Sequence, residues 1–332
     1  MKFKIAFAML IALTFIMGGC ANGPAAGSGG LNTLSSNPAV PTPAPVPDGV
    51  IADSVSGRFA LYDGSIYYAS SDSICVLEPG ANSTGILLLA DSPSRLEIVD
   101  GVLYYLAVGQ RDEYFSPLSY TVNSVNLETK EELGLAYCEQ NWYYIYDRNI
   151  YTLGEEGIYA QEIGQEEQNL VMDGFITSPA GYGNKIYMSL GEDLAVYEID
   201  SGAYEVLLED TAPMNITPLE DGLLYSDEIS EYMYFYNNET GEAALLDGAP
   251  NYGVTIYEGE YYYVGNDGTA ALYKLSEKGE PQKILELGEL FACSAPCFYN
   301  DNIYFVLHTD DYIGLAAYDE SGTQTRLSAA GG

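Results

Sequence analysis

Histidine is nearly absent from this chain: His308 stands alone among 332 residues. A zinc site built on imidazole needs more than one, or cysteines at metal spacing, and neither pattern occurs. No G-x-S-x-G elbow accompanies His308, so a serine-hydrolase triad has no anchor and no catalytic residue is assigned. Basic residues are also scarce, with 12 Lys and Arg against 48 Asp and Glu. That balance repels phosphate backbones and excludes nucleic acid as a partner. No stretch carries a capped helical period. After the first 17 residues no apolar run reaches the ~18 residues that a membrane-spanning helix needs.

The N-terminus is a targeting segment. Lys2 and Lys4 precede the uncharged apolar stretch Ile5 to Met17, and then comes Met17-Gly18-Gly19-Cys20. Small residues ahead of a cysteine resemble the bacterial lipobox, where a diacylglycerol is joined to the thiol before cleavage; Met17 replaces the usual leucine. Residues 1–19 are therefore expected to be a lipoprotein signal peptide and Cys20 the lipidation site. Each buried CH₂ contributes roughly 0.8 kcal/mol, so two or three acyl chains hold the protein on the membrane. The expected location is the extracytoplasmic face of the cell membrane. Residues 20–49 read as a disordered tether, Gly/Ala-rich and then Pro-rich, reaching at most about 100 Å. Without Lys2 and Lys4 the chain keeps 10 basic residues against 48 acids, a net charge of −38.

Residues 50–332 carry an internal repeat. A turn followed by an apolar-aromatic strand recurs as Asp63-Gly64-Ser65-Ile66-Tyr67-Tyr68 and Asp100-Gly101-Val102-Leu103-Tyr104-Tyr105. The marker tyrosines 67, 104, 151, 187, 225, 262 and 304 fall at intervals of 36 to 47 residues. Each copy parses into four strands, A to D; in the first these are Arg58–Tyr62, Ser65–Ser70, Ser73–Glu78 and Thr84–Ala90. Asp-Gly between alternating apolar runs signals a tight hairpin. The fold class is therefore all-β: a seven-bladed β-propeller of four-stranded antiparallel blades, strand A innermost. One sheet cannot bury both faces alone, so tyrosine rings pack between blades while their hydroxyls reach loops or water. No strand exchange is evident; residues 49–56 are the segment that could pair with the last blade.

The phase of this repeat over about 57–328 resembles a bacterial propeller family described as a domain of unknown function. That family is similar in turn to the YWTD propeller of low-density-lipoprotein receptors. The YWTD tetrad is absent here, so the resemblance implies architecture and carries over no ligand.

In such a fold the B–C and D–A loops share one face, and the A–B and C–D turns share the other. The longest insertion is the B–C loop of blade 2, about Gly109–Thr121, with Arg111, Asp112, Glu113, Tyr114 and Phe115; Asp310 and Asp311 lie in the matching loop of blade 7. These seven are the candidate ligand-binding residues, because long loops on rigid scaffolds carry recognition. Every B–C loop holds an acid. Such a ring suits Ca²⁺ or a cationic ligand, but the opposite face is also acidic and no D-x-D-x-D-G spacing occurs, so no metal site or cofactor is assigned. Cys293 and Cys297 are read on one face of strand A in blade 7. About 13 Å apart if extended, they are too far for a bridge; Cys75, Cys138, Cys293 and Cys297 are expected as buried free thiols. The reading that follows is a membrane-anchored extracytoplasmic binding or scaffold lipoprotein with a protein or glycan ligand. Its rivals are a carbohydrate-active hydrolase or lyase and an envelope assembly subunit.

Overall fold

The computed structural model describes residues 57–228, 232–246, 254–258, 260–266, 269–275, 281–288, 292–309, 312–319 and 321–327. The expected signal peptide at 1–19, Cys20, the expected tether and residues 49–56 lie outside these residues, as do Asp310 and Asp311. Among the described residues there is no helix, and every strand belongs to one of seven antiparallel sheets.

Blade 1 is β1 (Phe59–Tyr62), β2 (Ser65–Ala69), β3 (Ser73–Leu77) and β4 (Gly85–Leu89). Blade 2 is β5 (Ser94–Val99), β6 (Val102–Arg111), β7 (Pro117–Asn126) and β8 (Glu132–Cys138). Blade 3 is β9 (Tyr143–Tyr146), β10 (Asn149–Leu153), β11 (Gly157–Glu162) and β12 (Asn169–Asp173). Blade 4 follows with β13 (Ile176–Tyr182), β14 (Lys185–Leu190), β15 (Asp193–Glu198) and β16 (Ala203–Leu208). Blade 5 holds β17 (Pro213–Pro218), β18 (Gly222–Asp227), β19 (Met233–Asn237) and β20 (Glu242–Leu246). Blade 6 is formed by β21 (Val254–Tyr257), β22 (Glu260–Asn266), β23 (Ala270–Leu275) and β24 (Pro281–Gly288). In blade 7 the inner strand is split into β25 (Ala292–Cys293) and β26 (Cys297–Tyr299), both paired to β27 (Asn302–His308), then β28 (Ile313–Tyr318) and β29 (Gln324–Leu327).

Each sheet runs in chain order from the inner strand outward. Inner strands of neighbouring blades touch, as β1 does β5 and β13 does β17, while outer strands such as β16 and β20 are largely exposed. The apolar core is divided into one cluster for each of the seven blade interfaces. The repeat explains the division, because successive strand residues point to opposite faces. Ile66 and Tyr68 enter the cluster shared with blade 7, whereas Tyr67 and Ala69 enter the cluster shared with blade 2. A fully buried residue of this kind contributes about 1.5–3 kcal/mol.

The turns of blades 1, 2, 3 and 7 share one geometry, while in blade 4 only Gly183 of Gly183-Asn184 has positive φ and blade 5 departs further. Asp63-Gly64, Asp100-Gly101, Asp147-Arg148 and Asn300-Asp301 all have positive φ at both residues, the geometry of a tight twisted hairpin. In blade 5 the same letters fold differently. The Leu219 amide donates to the Gly222 carbonyl (2.9 Å), which puts Gly222 into the strand opposite Asn237. A Cβ there would sit 2.0 Å from the Tyr236 carbonyl oxygen. The slip of one residue turns Tyr225 toward blade 4 and gives its place toward blade 6 to Leu224.

Blade 7 corrects a second expectation. Residues 294–296 bulge out of the inner strand, so Cys293 faces blade 6 and Cys297 faces blade 1, not one common face. All four described cysteines are free and buried, and desolvation pushes the Cys138 and Cys297 thiols up to about 12. The ring closes between blades 7 and 1 by apolar packing and by the Tyr299 hydroxyl donating to the Gly64 carbonyl (3.0 Å).

Candidate functional site

The expected B–C loop of blade 2 is a hairpin rather than an irregular excursion. Strands β6 and β7 stay paired out to Arg111 and Pro117, each 10 residues long, against 5 for β2 and β3. Its base is fixed to the loop after blade 1. The Val108 amide donates to the Asp91 carbonyl (2.8 Å), and the Arg111 guanidinium holds Asp91 by two bonds (2.9 and 2.6 Å). The same guanidinium donates to Ser92 Oγ (2.9 Å) and to the Phe115 carbonyl (2.7 Å). These bonds hold the Asp91 carboxyl below its usual range. Arg111 is thus a brace for the hairpin.

Asp112 is committed as well. Its Oδ1 accepts the amides of Tyr114 (2.9 Å) and Ser116 (2.8 Å), closing the tip. What the tip offers to solvent is Glu113, Tyr114 and Phe115. Phe115 has φ +64, a left-handed conformation in which bulky side chains are rare.

A second set of residues sits where the inner strands of blades 2 and 3 meet. The inner-strand position paired with the marker strand is small in five blades: Ala60, Ala180, Thr217, Thr255 and Cys297, all buried. In blade 2 it is Glu97, paired with Tyr104, and in blade 3 it is Tyr144, paired with Tyr151. Both are only half-buried. Arg95 and Glu97 are the only charged residues of the described inner strands.

Desolvation raises the Glu97 carboxyl to about 7. Burial, with Glu97 as the next cause, raises the phenols of Tyr104 (to about 12), Tyr143 and Tyr144. Blades 2 and 3 are joined here by Tyr143 Oη donating to the Arg95 carbonyl (2.7 Å), Arg95 Nε to the Asn141 carbonyl (2.7 Å) and Ser94 Oγ to Asn141 Oδ1 (3.0 Å). Sequence reasoning missed Glu97. Its signal is visible only after the seven inner strands are aligned by pairing, when one acid stands in a column that is small in five blades and tyrosine in the sixth.

Among the described residues no three His, Cys, Asp or Glu side chains come together as metal ligands. A polar groove of about 630 Å³ lies on the opposite, A–B/C–D face between blades 1 and 2, with Asp63, Glu78, Asp100, Glu128 and Lys130 in its walls. His308 ends β27 opposite Ala292 and Ile313, with no nucleophile-elbow motif in the sequence to complete a triad.

No protein-family model matches the chain, and no curated protein matches its sequence. The fold itself has solved counterparts, all too distant in sequence to show more than architecture. PorZ, an essential surface component of the type-IX secretion system of Porphyromonas gingivalis, aligns with TM-score 0.55 and 11% identity over 83% of this chain. Puromycin hydrolase aligns with TM-score 0.59 and 13% identity over 87% of this chain. The β-propeller domain of the Pyrococcus furiosus trilobed protease, described as having an open velcro topology, aligns with TM-score 0.51 and 13% identity over 82% of this chain and 96% of its own. This chain spans only 38% of PorZ and 56% of puromycin hydrolase. Fold and site define a seven-bladed β-propeller whose second blade carries a braced, aromatic-tipped hairpin.

Proposed function

We propose that this protein is a bacterial envelope lipoprotein, anchored through Cys20 outside the membrane, whose propeller is a non-enzymatic binding or scaffold module. The lipobox-like 17–20 segment and the Gly/Pro-rich stretch after it support the anchor. The observation that carries the binding role is the blade 2 hairpin. Its strands are twice as long as those of blade 1, and its side-chain bonds to the loop after blade 1 keep the tip in one place. Presenting side chains on a rigid scaffold lowers the ordering cost of association.

The enzyme reading has less to support it. Glu97 titrates in the range a general acid needs, but glycoside hydrolysis uses a pair of carboxyl groups, and the described inner strands hold no second acid. The hydrolase and protease propellers above are fold neighbours and transfer no activity.

Two measurements test the proposal. Cys20→Ala should move the protein from the membrane to the soluble extracytoplasmic fraction and abolish labelling by a fatty-acid probe. Replacing residues 109–119 with a two-residue turn should release partners recovered with the intact protein. Retention of every partner would put the binding surface elsewhere on the ring.

A further inference from the structure

The four most exposed large apolar side chains among the described residues are Leu89 (75%), Phe175 (74%), Tyr114 (71%) and Phe115 (65%). All four lie on the B–C/D–A face. Leu89 ends β4, Phe175 stands between β12 and β13, and Tyr114 and Phe115 form the hairpin tip. The described lysines lie at the other end: Lys130 in the turn after β7, Lys185 at the start of β14, Lys274 near the end of β23 and Lys283 near the start of β24. Arginines on the apolar face are engaged within the fold. Arg58 reaches the Ala69 carbonyl, Arg95 the Asn141 carbonyl and Arg111 the Asp91 carboxylate, and Arg326 lies 4.9 Å over the Tyr312 ring.

This face also carries acids in excess of its basic residues. Glu155 and Glu156, Glu192 and Asp193, and Asp227 and Glu228 lie at the B–C connections of blades 3 to 5. Among the described residues, one end of the disc thus combines the largest apolar exposures with an excess of acids and no lysine. Apolar groups gathered on one face of a soluble domain mark an interaction surface. The tip also carries strain: Phe115 is held at φ +64, a left-handed conformation that glycine adopts more readily.

We propose that this face docks a net-basic protein, and that Tyr114 and Phe115 insert into an apolar pocket on that partner. The inference rests on the binding-module reading and adds the chemistry of the partner. Charge complementarity selects it. A second copy of this strongly acidic chain would be repelled. An anionic bilayer would be repelled too.

The test uses the full-length chain in intact cells, with a photocrosslinking amino acid in place of Tyr114, Phe175 or, as a control near the opposite face, Tyr204. The expected result is one protein adduct shared by positions 114 and 175, absent at 204, whose crosslinked partner carries net positive charge at pH 7. Purified, that partner should bind the chain with an affinity that falls about tenfold or more on raising salt from 0.05 to 0.5 M. Phe115→Gly should weaken binding about tenfold while leaving the melting temperature unchanged or higher, because glycine accepts the positive φ.

A net-acidic partner, an adduct with lipid or with a second copy, or unchanged affinity in Phe115→Gly would overturn the inference. So would flotation with phosphatidylglycerol vesicles that depends on the hairpin. Adducts at Tyr204 but at neither 114 nor 175 would overturn it while leaving the binding module standing; no adduct at any of the three positions would count against both.

Discussion

Blades 1 and 2 are consecutive copies of one repeat, and the contrast between them separates what builds the ring from what is added to it. Both open on an Asp-Gly turn with positive φ at both residues, and both send alternate residues of the second strand into the two adjoining cores. Blade 1 joins its middle strands through three residues and places Ala60 at its inner pairing position. Blade 2 extends the same hairpin to Arg111 and Pro117, and places Glu97 at the matching position. The shared features bury surface; the differences expose charge and aromatics, which a ring does not need.

The largest expected effect lies in what the two blades share. Ile66→Ala and Leu103→Ala each remove a fully buried side chain from a blade interface, and each should cost about 2–5 kcal/mol in denaturant unfolding. A much smaller cost in one blade would mean that the repeats do not bear equal weight.

Next comes the contrast at the inner position. The folded-state pKa of Glu97, about 7, exceeds its ordinary value of 4.5, so the native state holds this proton more tightly than the unfolded chain. The wild type should therefore lose stability as pH rises from about 4.5 to about 7, by up to about 3 kcal/mol. Glu97→Gln should be more stable than wild type at pH 8 and lose that advantage at pH 4, as read by thermal melts across pH. A pH-independent difference would mean that the carboxyl is already well solvated.

Blade 3 extends the comparison, because Arg148 stands where blades 1 and 2 have the second turn glycine, at φ +67. Its Nε is buried without a partner, and its bond to Glu162 is long at 3.8 Å. Arg148→Gly should raise stability by about 1 kcal/mol. The smallest global effect belongs to the added hairpin. Arg111 and Asp91 are 27% and 52% exposed, so Arg111→Ala should cost no more than about 1 kcal/mol overall. Amide exchange should nevertheless rise across residues 109–119 and remain unchanged in β2 and β3.

The repeat made the ring legible. The marker tyrosines count the blades, and the strands expected in blade 1 match those found to within two residues. Alternation along each strand also foretold that tyrosines would fill the interfaces. Two local slips were hidden. Asp221-Gly222 reads like the turns of blades 1 and 2, but the hairpin closes one residue earlier, with Leu219 bonded to Gly222, and this reverses the faces of the following strand. In blade 7 the Ser294-Ala295-Pro296 bulge shifts parity by one, which a count of residues between cysteines cannot register. Of the candidate site, the hairpin was legible as an insertion, but the roles within it were not. Arg111 and Asp112 look like ligand-binding groups in sequence, yet their partners, Asp91 and the tip amides, are spent on shaping Tyr114 and Phe115. The separation of lysine from exposed aromatics is likewise a property of strand ends in space.

Among the described residues no blade borrows a strand from another, and the described contacts across the seam between blades 7 and 1 are made by side chains, chiefly Phe59, Ile66, Cys297 and Leu315, with the Tyr299 hydroxyl on the Gly64 carbonyl. Mechanically, the described part of the ring is a split washer. The chain enters blade 1 at Gly57, whose carbonyl accepts the Leu96 amide of blade 2 (2.6 Å), so a load arriving through Gly57 meets the blade 1–2 interface before it reaches that seam.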